Sequence, residues 1–119
     1  MKRSALIVAG LMAVLLPAAQ AAEYPTKTVR MVIAFSPGGP SDILSRLIGA
    51  KLSERMGQPF VFDNRPGAGG NVAGEIVANS PADGYTLMIA NNSVLAANAS
   101  LYRKMTFNPS KDLVPVVWV

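Results

Sequence analysis

The sequence predicts an α/β protein built on an open sheet of parallel strands joined by right-handed crossovers. Three observations carry that expectation. Nearly continuous apolar runs of strand length recur, the clearest being VRMVIAF at residues 29–35; apolar residues at helical spacing follow it; and each change of period falls at a glycine-rich or polar junction.

Taken in order, the chain opens with Lys2 and Arg3, an apolar run over residues 5–16, Pro17 and the small-residue stretch AAQAA at 18–22. This is the pattern of a secretory signal peptide with an Ala-x-Ala cleavage site, placed after Ala21 with Ala22 as second choice. The apolar run is too short for a membrane anchor, which needs roughly 20 residues to span a bilayer. Residues 23–27 read as an exposed lead-in containing Pro25, and residues 29–35 as a strand covered on both faces. After Pro37-Gly38-Gly39 a helix opens with Ser41 and Asp42. Its apolar positions are Ile43, Leu44, Leu47, Ile48, Leu52 and Met56, its wet face carries Lys51, Glu54 and Arg55, and Gly57 stands where a C-cap glycine belongs.

The pattern repeats in kind. FVF at 60–62 is a second short strand and DNRPGAGG at 63–70 a glycine-rich loop. A short helix is expected over 71–79, with Val72, Ala73, Ile76 and Val77 inward. PADG at 81–84 is turn chemistry, YTLMIA at 85–90 a third strand ending in Asn91-Asn92-Ser93, and residues 94–101 suggest another short helix. A turn-rich stretch at 107–113 leads to the strand-like VPVVWV at 114–119. A buried strand seldom ends a domain, so the chain is expected to be truncated.

Composition narrows the function. The 119 residues include 11 basic and 7 acidic; losing Lys2 and Arg3 with the signal leaves 9 against 7, a net of +2. No block of like charge appears and aromatics are not interleaved with basic residues, so nucleic acid is not an expected partner. Cysteine and histidine are absent. An exported form would therefore hold together without disulfides, as suits a bacterial periplasm, and it lacks the commonest general base and metal ligands. The expectation is a protein that is not an enzyme and uses neither a cofactor nor a metal.

The loops that follow the strands carry the chemistry, because in open parallel sheets they line the ligand crevice. A P-loop is ruled out, since neither glycine loop continues into Lys-Ser or Lys-Thr. Gly67-Ala68-Gly69 begins a dinucleotide fingerprint, but Val72 holds the third glycine position and Asn91 and Asn92 stand where the ribose-binding acid should be. A nucleotide-dependent enzyme with a degenerate loop is therefore only an alternative. A helix N-terminus, by contrast, can hold a carboxylate through unpaired N–H groups and its dipole without any nearby cation. Gly38 and Gly39 permit close backbone approach, Ser36 and Ser41 offer hydroxyls, and Gly69, Gly70 and Asn71 form a second donor cluster. Capping and tight packing explain the same residues about as well. Asp42 fits the ordering of its own loop better than contact with an anion. Arg65 reads as a surface charge, and Asn92 and Ser93 as turn residues or donors.

Four blocks in one order resemble a known family: Phe35-Ser36-Pro37-Gly38-Gly39 with Asp42; Asn64-Arg65-Pro66-Gly67-Ala68-Gly69-Gly70-Asn71; Pro81-Ala82-Asp83-Gly84-Tyr85-Thr86; and Asp112-Leu113 with Pro115-Val116. Together with Tyr24-Pro25 they resemble the periplasmic solute receptors of tripartite tricarboxylate transporters, the Bug receptors. The resemblance implies a two-lobed type II periplasmic-binding-protein fold closing on a small carboxylate, a dicarboxylate, tricarboxylate, amino acid or aromatic acid. It implies that the loops from Phe35 to Asp42 and from Ala68 to Asn71 hold a ligand carboxylate through backbone N–H groups and bridging waters, with Asn91 to Ser93 nearby. The receptor would be a monomer that meets membrane transporter subunits. A periplasmic sensing module without its own transporter is a further alternative. On this reading residues 1–21 are the signal peptide, 22–113 belong to the first lobe and 114–119 begin the crossover strand to a second lobe beyond the chain.

The signal-peptide reading predicts that the chain expressed in a Gram-negative host yields a periplasmic species whose intact mass begins at Ala22. A full-length mass in the membrane fraction would contradict it.

Overall fold

The computed structural model describes residues 23–119; the signal-peptide expectation lies outside them. Three strands, β1 (Val29–Ile33), β2 (Phe60–Asn64) and β3 (Thr86–Ile89), form one sheet in the order β2-β1-β3. Both pairings are parallel, with Val29 opposite Phe60 and Arg30 opposite Thr86. The connections are α1 (Pro40–Met56) between β1 and β2, and a 3₁₀ turn (Ala68–Gly70) continuing into α2 (Asn71–Ala78) between β2 and β3. One crossover steps outward from β1 and the other returns past it. Right-handed connections therefore put α1 and α2 on opposite faces.

The core follows that division. Side chains alternate across a strand, so Val29 and Met31 pack with Phe60, Leu52 and Met56 on the α1 side. Val32 and Ala34 pack with Ala73, Val94 and Phe107 on the α2 side. Such double coverage is why residues 29–34 read as almost unbroken apolar sequence. After β3 a wide π-helical turn (Ser93–Ala97) runs into α3 (Asn98–Leu101), and α4 (Pro109–Asp112) follows. Asn108 caps α4, its side chain accepting from the Ser110 N–H at 3.0 Å. Gly57 is the left-handed C-cap of α1, its N–H donating to the Ser53 carbonyl.

Two expectations are corrected. In α1 only the C-terminal part of the apolar stripe faces the sheet: Leu52 and Met56 pack there as expected, but Ile43, Leu44 and Leu47 are exposed, while Asp42, Ser45 and Gly49 are buried. The cause is close approach. A Cβ on Gly49 would lie 2.5 Å from the Phe62 ring, so the first turns of the helix place their smallest side chains toward β2 and their larger ones outward. Ser45 is tolerated there because its hydroxyl donates to the Ser41 carbonyl one turn back. The second correction concerns residues 114–119, which form no strand. Their side chains are exposed, and without a neighbour to pair with, β-branched composition alone does not make a ladder.

The α2 face is packed by the same device. A Cβ on Gly74 would lie 2.2 Å from Cζ of Phe107. Gly74→Ala is therefore expected to cost about 1–3 kcal/mol, read as a lower urea midpoint at unchanged slope. Leu47→Ser, on the exposed stripe, should stay within about 0.5 kcal/mol of the parent. A loss of about 1 kcal/mol or more from Leu47→Ser would mean that the exposed face of α1 is wrongly assigned.

Candidate functional site

Because all three strands are parallel, their carboxyl ends lie at one edge of the sheet, and the loops after β1, β2 and β3 emerge together. The loops after β1 and β3 belong to adjacent strands whose connections diverge, which is the switch point where open sheets place a ligand.

The first loop is braced from inside. Asp42 is 4% exposed. Its Oδ2 accepts from the Gly38 N–H at 2.9 Å and from Arg46 Nε at 3.0 Å, and its Oδ1 accepts from Asn64 Nδ2 at 3.0 Å. These bonds, the Arg46 one foremost, hold its carboxyl far below the ordinary carboxylate range, against the opposing effect of burial. The same Asn64 Nδ2 donates to the Phe35 carbonyl at 3.0 Å, and the Arg65 N–H reaches the Ile33 carbonyl at 2.8 Å. The loops after β1 and β2 are thus tied directly together. Within the first loop the Gly39 N–H makes a long bond of 3.4 Å to the Ser36 carbonyl, whereas the amides of Ser36 and Ser41 make no hydrogen bond among the described residues.

The second loop winds through consecutive left-handed residues, Ala68 at φ 47°, Gly69 at 62° and Gly70 at 95°. Gly70 is required on two counts, for a Cβ there would also sit 2.4 Å from Cγ2 of Val94. The Gly70 N–H closes the turn on the Gly67 carbonyl at 2.8 Å, and the Asn71 N–H bonds the Ala68 carbonyl. The third loop is self-capped: Asn91 Oδ1 accepts from the N–H groups of Ser93 at 3.1 Å and Val94 at 3.4 Å.

The structure brings the sequence candidates Phe35, Ser36, Gly38, Gly39, Ser41 and Asp42 into one loop, Ala68, Gly69 and Asn71 into the next, and Asn92 and Ser93 into the third. They differ in what remains available. Ser36, Gly38, Gly69 and Asn92 are exposed, Phe35 leans on the core, and the Asp42 carboxylate and the Ser93 N–H are committed to the protein. Asn64 and Asn98 were missed. Asn98 is 2% exposed and donates to the Gly69 carbonyl at 3.1 Å and Asn71 Oδ1 at 2.8 Å. Asn64 opens the Asn64–Asn71 run, but nothing in its spacing marks a brace; Asn98 carries no local signal at all. Among the described residues no three metal-binding side chains cluster.

An open parallel sheet with crossover helices on its two faces and glycine-rich loops at one edge defines an α/β fold of the doubly wound class. Residues 44–119 match the family described as tripartite tricarboxylate transporter family receptor, TctC, and the chain belongs to that family. It is 40% identical over 114 residues to a UPF0065 protein of Bordetella bronchiseptica, covering 96% of this chain and 34% of the relative. It is also 40% identical over 97 residues to protein BugT of Bordetella pertussis, covering 81% and 30%. The chain thus spans about a third of the length of the relatives it matches. Among solved structures, it resembles an R. palustris protein with adipate at TM-score 0.71 and 48% identity, covering 74% of this chain and 29% of that one. MatC from Rhodopseudomonas palustris with bound malate gives TM-score 0.71 and 38% identity, covering 75% and 30%.

Asp42 makes the lobe's stability pH-dependent. The folded state keeps Asp42 ionised where the unfolded chain, with an ordinary value near about 4, takes up a proton. Its contribution is complete above that value and declines as pH falls below it. Urea midpoints measured from about pH 7 down to about pH 2 should therefore fall more steeply for the parent than for Asp42→Asn, which starts lower at neutral pH. Parallel curves would show that the brace contributes nothing.

Proposed function

We propose that this chain contributes the carboxylate-binding wall of a periplasmic solute receptor. The receptor would take a small carboxylate, a dicarboxylate, tricarboxylate, amino acid or aromatic acid, and deliver it to the membrane subunits of a tripartite tricarboxylate transporter without chemical change. The observation that carries this reading is the pair of uncommitted amides, Ser36 and Ser41, at the mouth of α1, beside the glycine-rich entry to α2. A helix entrance presents N–H groups and a partial positive charge, which suit a carboxylate and require no cation. The bound adipate and malate of the two R. palustris relatives are ligands of this class. On this reading residues 22–113 form part of the first lobe and 114–119 begin the passage to a second, which would close over the distal end of the ligand. Export to the periplasm rests on the N-terminal pattern. No helix among the described residues is long and apolar enough to cross a membrane.

A single wall binds weakly, with dissociation constants on the order of 1 mM, so the test reads individual amides. In an NMR titration of the labelled chain with adipate, malate, citrate and benzoate, at least one of these acids should shift the backbone resonances of Ser36, Gly38, Ser41 and Gly69 in a saturable way. Neutral diols of the same length should not. Uniform silence, or equal shifts with the diols, would overturn the reading.

A further inference from the structure

Asn98 stands outside the three loops, at the start of α3, yet it is almost completely buried beneath the second of them. Its Nδ2 lies 3.1 Å from the Gly69 carbonyl oxygen and 2.8 Å from Asn71 Oδ1. The orientation of both carboxamides follows from this. A backbone carbonyl can only accept, so the end of Asn98 that meets Gly69 must be its NH₂. The second N–H of that group then needs an acceptor, and the only one the Asn71 side chain has is its oxygen. The opposite end of Asn71 is consequently its NH₂, which makes no hydrogen bond to the protein among the described residues. Asn71 is half-buried and is the first residue of α2, at the edge where the loops converge.

We propose that Asn98 is a positioning residue, holding the Asn71 carboxamide so that its NH₂ is presented to the crevice as a side-chain donor for the ligand's carboxylate. The inference rests on the receptor reading above. It adds a neutral donor that does not titrate, placed beside amides that are fixed in the backbone. A carboxamide free to turn over would present oxygen as readily as nitrogen, and oxygen repels a carboxylate. Asn98 removes that ambiguity by accepting only one of the two orientations.

The same NMR titration, followed at the side-chain amide resonances, tests this. In the parent chain the Asn71 NH₂ pair should shift with adipate or malate in step with the Ser36 and Ser41 backbone amides, while the Asn98 pair stays in place and exchanges slowly with solvent. In Asn98→Ala the Asn71 pair should stop responding and the apparent dissociation constant rise about tenfold, with Ser36 and Ser41 still responding. Asn71→Asp keeps an acceptor for Asn98, so the Asn98 pair should persist while binding falls at least about tenfold. That variant carries the test should Asn98→Ala fail to fold. Backbone shifts with an Asn71 pair that never moves, or one that moves equally without Asn98, would overturn the proposal and leave the receptor reading intact. Silence at every amide would remove both.

Discussion

The backbone of β1 is hydrogen-bonded along both edges to strands that run in its own direction. Parallel neighbours cannot be joined by a hairpin, so the chain must return along the sheet after each strand, and a helix on the face is the compact way to do it. It follows that every strand of the sheet ends at the same edge and that the two crossover helices, α1 and α2, begin there. The carboxyl edge collects helix N-termini, with their unpaired donors, as a geometric by-product of the pairing. The partition of the core into an α1 side and an α2 side comes from the same source, since the β1-to-β2 and β2-to-β3 crossovers run across the sheet in opposite directions.

An edge that gathers donors must still be kept from collapsing onto itself, and two asparagines do this in one way. Asn64 donates to the Phe35 carbonyl and to Asp42, and Asn98 donates to the Gly69 carbonyl and to Asn71. In each case one carboxamide NH₂ bridges a loop carbonyl and a side-chain oxygen. These bonds consume acceptors and leave N–H groups over, which biases the remaining surface of the edge toward donors. Carboxamides suit the task because they are neutral: two hydrogen bonds are made without burying a charge.

Much of this was legible in the sequence, and the reasons differ by element. The strands and the helices α1 and α2 announce themselves because doubly covered strands are continuously apolar and glycine falls at the ends of helices, as at Gly57. The inward face of α1 was legible at Leu52 and Met56 but not in its first turns. Periodicity assigns burial by hydrophobicity, and here a ring packed against Gly49 decided the rotation of the helix instead. The loop candidates fall together at one edge because glycine and serine cluster after the strands. Their division into committed and uncommitted donors was not legible, since it depends on Asn64 and Asn98, which are distant in sequence from the loops they hold. Residues 114–119 have the composition of a strand, but whether a strand forms depends on a neighbour.

Asp42 poses the sharpest physical question at the edge, because a buried carboxylate beside a helix entrance should repel the anion that the entrance attracts. Arg46, one turn further along α1, resolves it. The pair is joined at 3.0 Å and carries no net charge, and Asn64 and the Gly38 N–H take the other positions around the carboxylate. At a few ångströms the field of such a pair falls off faster than that of a lone charge, and exposure of the guanidinium screens it further. The attraction left at the mouth of α1 is then that of its own peptide dipoles and of the two amides that Asp42 does not reach. Had the brace been a carboxylate without its arginine, ordering the loop and attracting an anion would have been opposing demands; with the pair neutral, one residue can fix the loop without cancelling the charge that the loop presents.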